Sequence, residues 1–253
     1  TDTTKGDLLM IVNGTSTTGY RAASSGLGGT LACFMLHKQQ NIVAPSFVQT
    51  DGTFIDIGVD LDVIYAIVKR TVNSATKYYL EVFDDDFTTD SAVQKTSSFS
   101  GTSYDLVSHL NAKTAKVIRD DIVESDVTVN SSGTITTSAQ PTSYIEAGLD
   151  FTVTVKTNPV EPNLPSGRVV SQKKRILEVS PVMYRTQNLT INGFEVPLFT
   201  LPYSGGGTVP TITGIKKLHG LTGYSTDAQI TISQSKPVFF TVLSMDFKLA
   251  VGA

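Results

Sequence analysis

Phe151-Thr152-Val153-Thr154-Val155-Lys156 sets an apolar side chain at every odd position and a polar one at every even position. A strand sends successive side chains to opposite faces, so this stretch reads as a half-buried β-strand. The same period recurs along the chain. Ile55, Ile57 and Val59 alternate with Asp56 and Gly58, and Ile230 and Ile232 with Gln229, Thr231 and Ser233. Val63 to Val68 is apolar on both faces, which predicts a strand covered on both sides. Between these runs lie Asp51-Gly52 and Asn192-Gly193, pairs that accept the positive φ angles of a two-residue hairpin turn. Asn73-Ser74-Ala75 and Ser131-Ser132-Gly133 are looser versions of the same signal. The spacing predicts about fifteen or more short strands, as in sandwiches and barrels. The best helical candidate is one or two turns around Asp105 to Leu110.

Composition agrees. Hydrophobic residues make up 40% of the 253 and charged ones only 17%, against about 25% in an average soluble domain. Thr, Ser, Gly and Asn fill the difference, as strands and turns require. The expected class is all-β, built from several small sheet, barrel or sandwich modules. A net charge of −3 leaves no basic footprint for gripping nucleic acid. The single cysteine, Cys33, excludes an internal disulfide and a multi-cysteine zinc site. Its apolar setting, Leu31 to Leu36, predicts a buried, inert thiol. No stretch has the roughly 20 apolar residues of a membrane helix, and Val238 to Val251 is broken by Asp246 and Lys248, so no membrane anchor is expected. The polar opening Thr1-Asp2-Thr3 carries neither a leader pattern nor an initiator Met, and the chain is expected to be a piece of something longer.

Three parts are expected. Residues 1–97 pair strands tightly and end in the polar stretch Gln94 to Thr102. Residues 98–165 form a small β unit leaving through Asn158-Pro159-Val160-Glu161-Pro162-Asn163-Leu164-Pro165, whose prolines favour a stiff linker. Residues 166–253 form a last β domain with the Asn-Gly hairpin and a long final strand.

No catalytic constellation emerges. His37, His109 and His219 are far apart, and HExxH, GxSxG, P-loop and GxGxxG patterns are missing. Asp105 and His109, with Ser108 between them, would face one another on a helix, but a surface pair is the plainer reading. Asp84-Asp85-Asp86 with Asp90 offers oxygens to a cation. It lacks the sharp Gly turn and bidentate Glu of a calcium loop, so a solvated acidic turn is expected and no metal or cofactor is assigned. Arg168, Lys173, Lys174 and Arg175 form the densest basic cluster, with Lys216-Lys217 a smaller one. Consecutive cations on a strand alternate faces and cannot all follow one phosphate track, so the first cluster is read as an inter-subunit contact. Ser204-Gly205-Gly206-Gly207 has no helix after it to bind phosphate and reads as a loop. Asn13, Asn130 and Asn188 begin glycosylation triplets but, without a leader, carry no assignment.

The order of segments carries one further signal. Gly29-Thr30-Leu31-Ala32-Cys33-Phe34-Met35-Leu36, Gln39-Gln40-Asn41-Ile42-Val43-Ala44-Pro45 and Thr50-Asp51-Gly52-Thr53-Phe54 resemble a blade segment of phage tail proteins. Asp62 to Asn73, with its Val68-Lys69-Arg70-Thr71-Val72-Asn73, followed by Tyr78-Tyr79-Leu80-Glu81, is similar to the "VVKRTVNG…RYIE" block of the same family. Ser108-His109-Leu110-Asn111 through Lys116-Val117-Ile118 resembles its "HLEGKTVKV" turn, and Gly148-Leu149-Asp150-Phe151-Thr152 its "GLPYT" strand, with Asp150 in place of Pro. Lys173-Lys174-Arg175-Ile176 and Phe240-Thr241-Val242-Leu243 resemble its "KKRI" and "FTVL" strands. The stretch Ser16 to Gly29 has no counterpart there.

The family is the tail nozzle, or tail tubular protein B, of short-tailed phages, and the resemblance covers its C-terminal portion. It implies a propeller-blade-like N-terminal part, a platform-like last domain and a structural virion protein. Six copies would form a ring that gates the distal DNA-conducting tube, assembled in the host cytoplasm and bound to tail adaptor and tail fibre proteins. No catalytic residues come with it, so the expectation is a non-enzyme. A lumen that conducts DNA should avoid adhesive cations, which a mildly acidic chain satisfies. The alternative is a receptor-binding or adhesin-type module of a tail fibre or tip, whose mark would be aromatics clustered on loops.

Overall fold

The computed structural model describes residues 6–14, 27–37, 41–164, 167–168, 172–198, 210–220 and 222–252. The Ser204 to Gly207 run and most of Ser16 to Gly29 lie outside them, as do Gln39, Gln40 and Pro165. The chain is all-β, 55% strand and 1% helix, which makes sheet edges and faces the surfaces that matter.

The first unit is two three-stranded sheets. β1 (Asp7–Val12), β2 (Leu31–His37) and β3 (Ile42–Val48) form one, with β2 central. β4 (Thr53–Asp60), β5 (Val63–Val72) and β6 (Ala75–Val82) form the other, with β5 central. Leu31, Cys33, Phe54, Ala66 and Val68 are the buried core between them. Burial pushes the Cys33 thiol up, away from the reactive thiolate.

The second unit begins at β7 (Asp90–Lys95) and continues through β8 (Ser103–Asp105), β9 (Thr114–Arg119), β10 (Ile122–Val123), β11 (Val127–Thr128), β12 (Thr134–Thr136) and β13 (Ile145–Leu149). Its main sheet runs β10-β9-β13-β7, with β11 also on β9, and β8 pairs with β12. Val107, Leu110, Val117, Ile135 and Ile145, all fully buried, centre its core. Truncating Ile135 to Ala should cost about 2–5 kcal/mol, read as a lower denaturation midpoint.

The third unit holds β14 (Val153–Lys156), β15 (Asn163–Leu164), β16 (Gly167–Arg168), β17 (Lys174–Thr186), β18 (Thr190–Ile191), β19 (Phe194–Glu195), β20 (Ile212–Ile215), β21 (Leu218–His219), β22 (Thr231–Gln234) and β23 (Val242–Val251). One sheet runs β14-β22-β18-β19. In the other, β17 pairs with β20 and β21 on one side and β23 on the other. Ile176, Met183, Leu189, Ile191 and Ile230 fill the space between.

Hydrogen bonding redraws the expected seams. β7 precedes residue 97 yet pairs with β13, Lys95 opposite Ile145. β14 precedes residue 165 yet pairs with β22, Val153 opposite Gln234. The Pro-rich exit therefore leaves a strand of the third unit, and Val160 N–H donates to the Asp227 carbonyl of that unit.

Turn chemistry is mixed. Asn192 and Gly193 (φ 50° and 82°) close the β18–β19 hairpin, and Asn73 and Ser74 (φ 47° and 62°) close β5–β6. Asp51-Gly52 is not a hairpin: β3 pairs with β2 and β4 with β5, so this pair carries the chain from one sheet to the other. A Cβ on Gly52 would stand 2.6 Å from the Lys69 carbonyl oxygen, so close backbone approach explains the glycine. Ser131-Ser132-Gly133 likewise joins strands that do not pair with each other. In the helical candidate only Ser108–Leu110 turns, as 3₁₀, while Asp105 ends β8.

Val63 to Val68 is also corrected. Ala66 and Val68 face the core, but Val63 and Ile67 are exposed on the other face among the described residues. The first unit has five buried core residues where each of the others has ten, yet it carries sixteen of the twenty-five exposed large hydrophobics among the described residues.

Candidate functional site at the seam of the first two units

Arg70 sits on the inward face of β5, in line with Ala66, Val68 and Val72, and is 1% exposed. A guanidinium has five N–H donors, and here all five are used. Nε and Nη2 donate to Glu81 Oε1 and Oε2 of neighbouring β6, at 2.8 and 2.7 Å. Nη2 and Nη1 donate to Asp90 Oδ1 and Oδ2 at the start of β7, at 3.1 and 3.2 Å. Nη1 also donates to the Asp51 carbonyl at 2.9 Å. Burial alone pulls the guanidinium down, and the hydrogen bonds and charges of Glu81 and Asp90 more than reverse this. Arg70 thus stays charged and is gripped by two carboxylates, one from its own sheet and one from the second unit.

Smaller contacts complete the seam. Thr50 Oγ1 donates to Asp90 Oδ2 at 2.6 Å and Ser91 Oγ to Glu81 Oε1 at 3.0 Å. Lys113 Nζ meets Asp51 Oδ2 at 2.6 Å, and Tyr79 OH donates to the His109 carbonyl at 3.0 Å. Beside this network lies a cavity of about 610 Å³, within the roughly 300–1,000 Å³ of small-ligand sites. Val48, Phe54, Phe83, Phe87, Val93 and Phe151 form its apolar wall, and Glu81 and Asp90 reach its polar side.

Chemically this is a clamp. Arg70 has no donor left for a ligand anion, and Glu81 and Asp90 are committed to Arg70. Asp105 and His109 do not form a relay: Asp105 accepts from Thr134 Oγ1 at 2.6 Å, and His109 Nε2 bonds the Ser91 carbonyl at 2.9 Å. Asp84 to Asp86 form an exposed turn in which Asp84 Oδ1 accepts the Asp86 N–H at 3.0 Å, while Asp90 is drawn off to Arg70. Among the described residues no three His, Cys, Asp or Glu come together as a metal site, and no helix is long and apolar enough to cross a membrane.

The basic cluster is split by its strand. Lys173 is exposed, while Arg175 is half-buried and donates Nε to the Thr222 carbonyl at 3.2 Å. Lys174 is fully buried, with no hydrogen-bond partner for Nζ among the described residues, so it does not belong to an exposed contact set. Arg168 lies in β16, and its side chain is outside the described residues.

A second group that sequence reading passed over is Glu146 in β13, 1% exposed. Its Oε1 accepts from Thr88 N, Thr88 Oγ1 and Thr89 Oγ1 at 2.9, 3.2 and 2.7 Å. Burial nevertheless holds the carboxyl above the usual carboxylate range. A carboxyl raised on folding stabilises below its unfolded value, and that contribution is lost as pH rises through the folded one. Glu146→Gln keeps an oxygen acceptor and removes the proton. It should be more stable than the parent at neutral pH, with the gain vanishing towards about pH 4, as followed by urea denaturation across pH.

No family model matches the chain, and no curated protein matches it.

Proposed function

We propose that this chain is a structural subunit of the tail nozzle ring of a short-tailed phage, part of the distal tube that gates and conducts DNA. The supporting observation is the first unit's surface. A small core under so many exposed large hydrophobics among the described residues fits a part that buries its outer faces against neighbours. The resembling block adds to it, because Arg70 and Glu81, which grip each other, both lie inside that block. The role is assembly and gating, with no catalytic step. Copies contact head to tail and close into a ring, with Lys173 and Arg175 at the contact.

Native mass measurement of the full-length protein, with imaging of virions, tests this. A sixfold ring at the tail tip is expected. A stable monomer that binds host glycans would overturn it in favour of a receptor-binding module.

A further inference from the structure

Three sheet edges come to the seam cavity: the end of β3, the end of β6 (Leu80 to Val82) and the start of β7. Proteins usually blunt such edges. β3 carries Pro45, which has no amide to offer, and β7 carries Ser91 at φ 51°, which twists the strand. β6 has neither a proline nor a positive-φ residue over its eight positions.

Pairing shows which groups are open. Phe83 N–H donates to the Ile64 carbonyl at 3.0 Å, so residues 77, 79, 81 and 83 bond inward to β5. Thr76, Tyr78, Leu80 and Val82 therefore turn their amides and carbonyls to the free edge, where they meet no strand among the described residues. Of these, Tyr78 is 63%, Leu80 71% and Val82 50% exposed, and Leu80 and Val82 border the cavity. Charge is graded along the edge. Lys77 is exposed near the start of β6, and Asp84, Asp85 and Asp86 are exposed just beyond its end. The nearby cations Arg70 and Lys113 are neutralised by Glu81, Asp90 and Asp51.

We infer that the open edge of β6, with the cavity beside it, captures an extended peptide segment of a partner protein by antiparallel strand addition. The segment carries apolar side chains at alternate positions, a cation towards its amino end over Asp84–Asp86, and a carboxylate towards its carboxyl end near Lys77. Backbone pairing supplies affinity, the cavity selects the side chains, and the charge gradient sets direction. The inference does not depend on the phage reading.

The test is fluorescence anisotropy of the full chain with a labelled Lys-Val-Thr-Val-Thr-Val-Thr-Glu peptide, alongside its charge-reversed form. Saturable binding is expected, weakened about tenfold by charge reversal. Leu80→Pro removes one outward amide and leaves the bonds to β5 in place, so it should abolish binding. Tyr78→Lys keeps every amide and adds an edge-protecting charge, and should also weaken binding, which guards against misfolding of the proline variant. No binding to the parent chain, or binding by both variants as tight as the parent's, would overturn the inference. So would a Leu80→Pro variant that loses self-association while peptide binding persists, because the edge would then belong to a second copy.

Discussion

Arg70→Ala destabilises the chain by about 3–5 kcal/mol, the cost of removing one partner from a buried ion pair. The lower half of that range is the better guide, because the Glu81 and Asp90 side chains keep 19% and 22% of their surface in solvent. What remains is worse than a cavity. Two carboxylates converge on an empty site, and the Asp51 carbonyl loses its donor. Arg70→Lys recovers little, since one ammonium has three donors and no planar fork where two bidentate pairs and a fifth bond to the Asp51 carbonyl are needed. Adding Glu81→Gln and Asp90→Asn to Arg70→Met removes both orphaned charges and recovers part of the loss. Urea denaturation of the set checks this, and independent, additive effects of Arg70→Ala and Glu81→Ala would show that the clamp is not a unit.

Gly133→Ala abolishes the folded second unit, at upwards of about 4 kcal/mol. Gly133 has φ +77°, and a Cβ there would stand 2.0 Å from Ser108 N and 2.5 Å from Ser108 Cα. Those are backbone atoms and cannot swing aside. The same residue's carbonyl accepts the Leu106 and Val107 amides at 3.0 and 3.1 Å, so moving it breaks both bonds. Gly193→Ala is the control. Its φ is +82° but nothing lies within 4 Å of the added carbon, so only the left-handed penalty of about 1–2 kcal/mol applies. Soluble yield and circular dichroism of the two variants should differ sharply, and similar behaviour would refute the steric argument.

Much of the fold was legible because alternation and turn chemistry are local. Val153–Lys156 is a strand, although Phe151 precedes it and both Phe151 and Val155 are exposed, so alternation located the strand but not a buried face. Asn192-Gly193 closes the hairpin that its two positive φ angles favour. Leu61-Asp62 closes β4–β5 with φ 47° and 69°, yet leucine gives no turn signal there; the pairing of Asp60 with Val63 imposes it. Asp51-Gly52 has hairpin chemistry but serves as a crossing between sheets, held by Arg70 and Lys113 from 19 and 62 residues away. Arg70 itself was visible in principle, as a cation on the apolar phase of a period-two strand. Its partners were not, because Asp90 read equally well as one more member of an acidic turn. Glu146 had a similar disguise: nothing local in Ile145-Glu146-Ala147 says that the strand is buried on both faces.

The clamp also orders events in time. Arg70 precedes Asp90 by 20 residues, and synthesis at about 5–20 residues per second puts about 1–4 s between their appearances. Until Glu81 appears, 11 residues after Arg70, the guanidinium has neither carboxylate, and from there to Asp90 it has only one of the two. The arrival of β7 brings the second carboxylate, Asp90, and completes the clamp that holds the first unit.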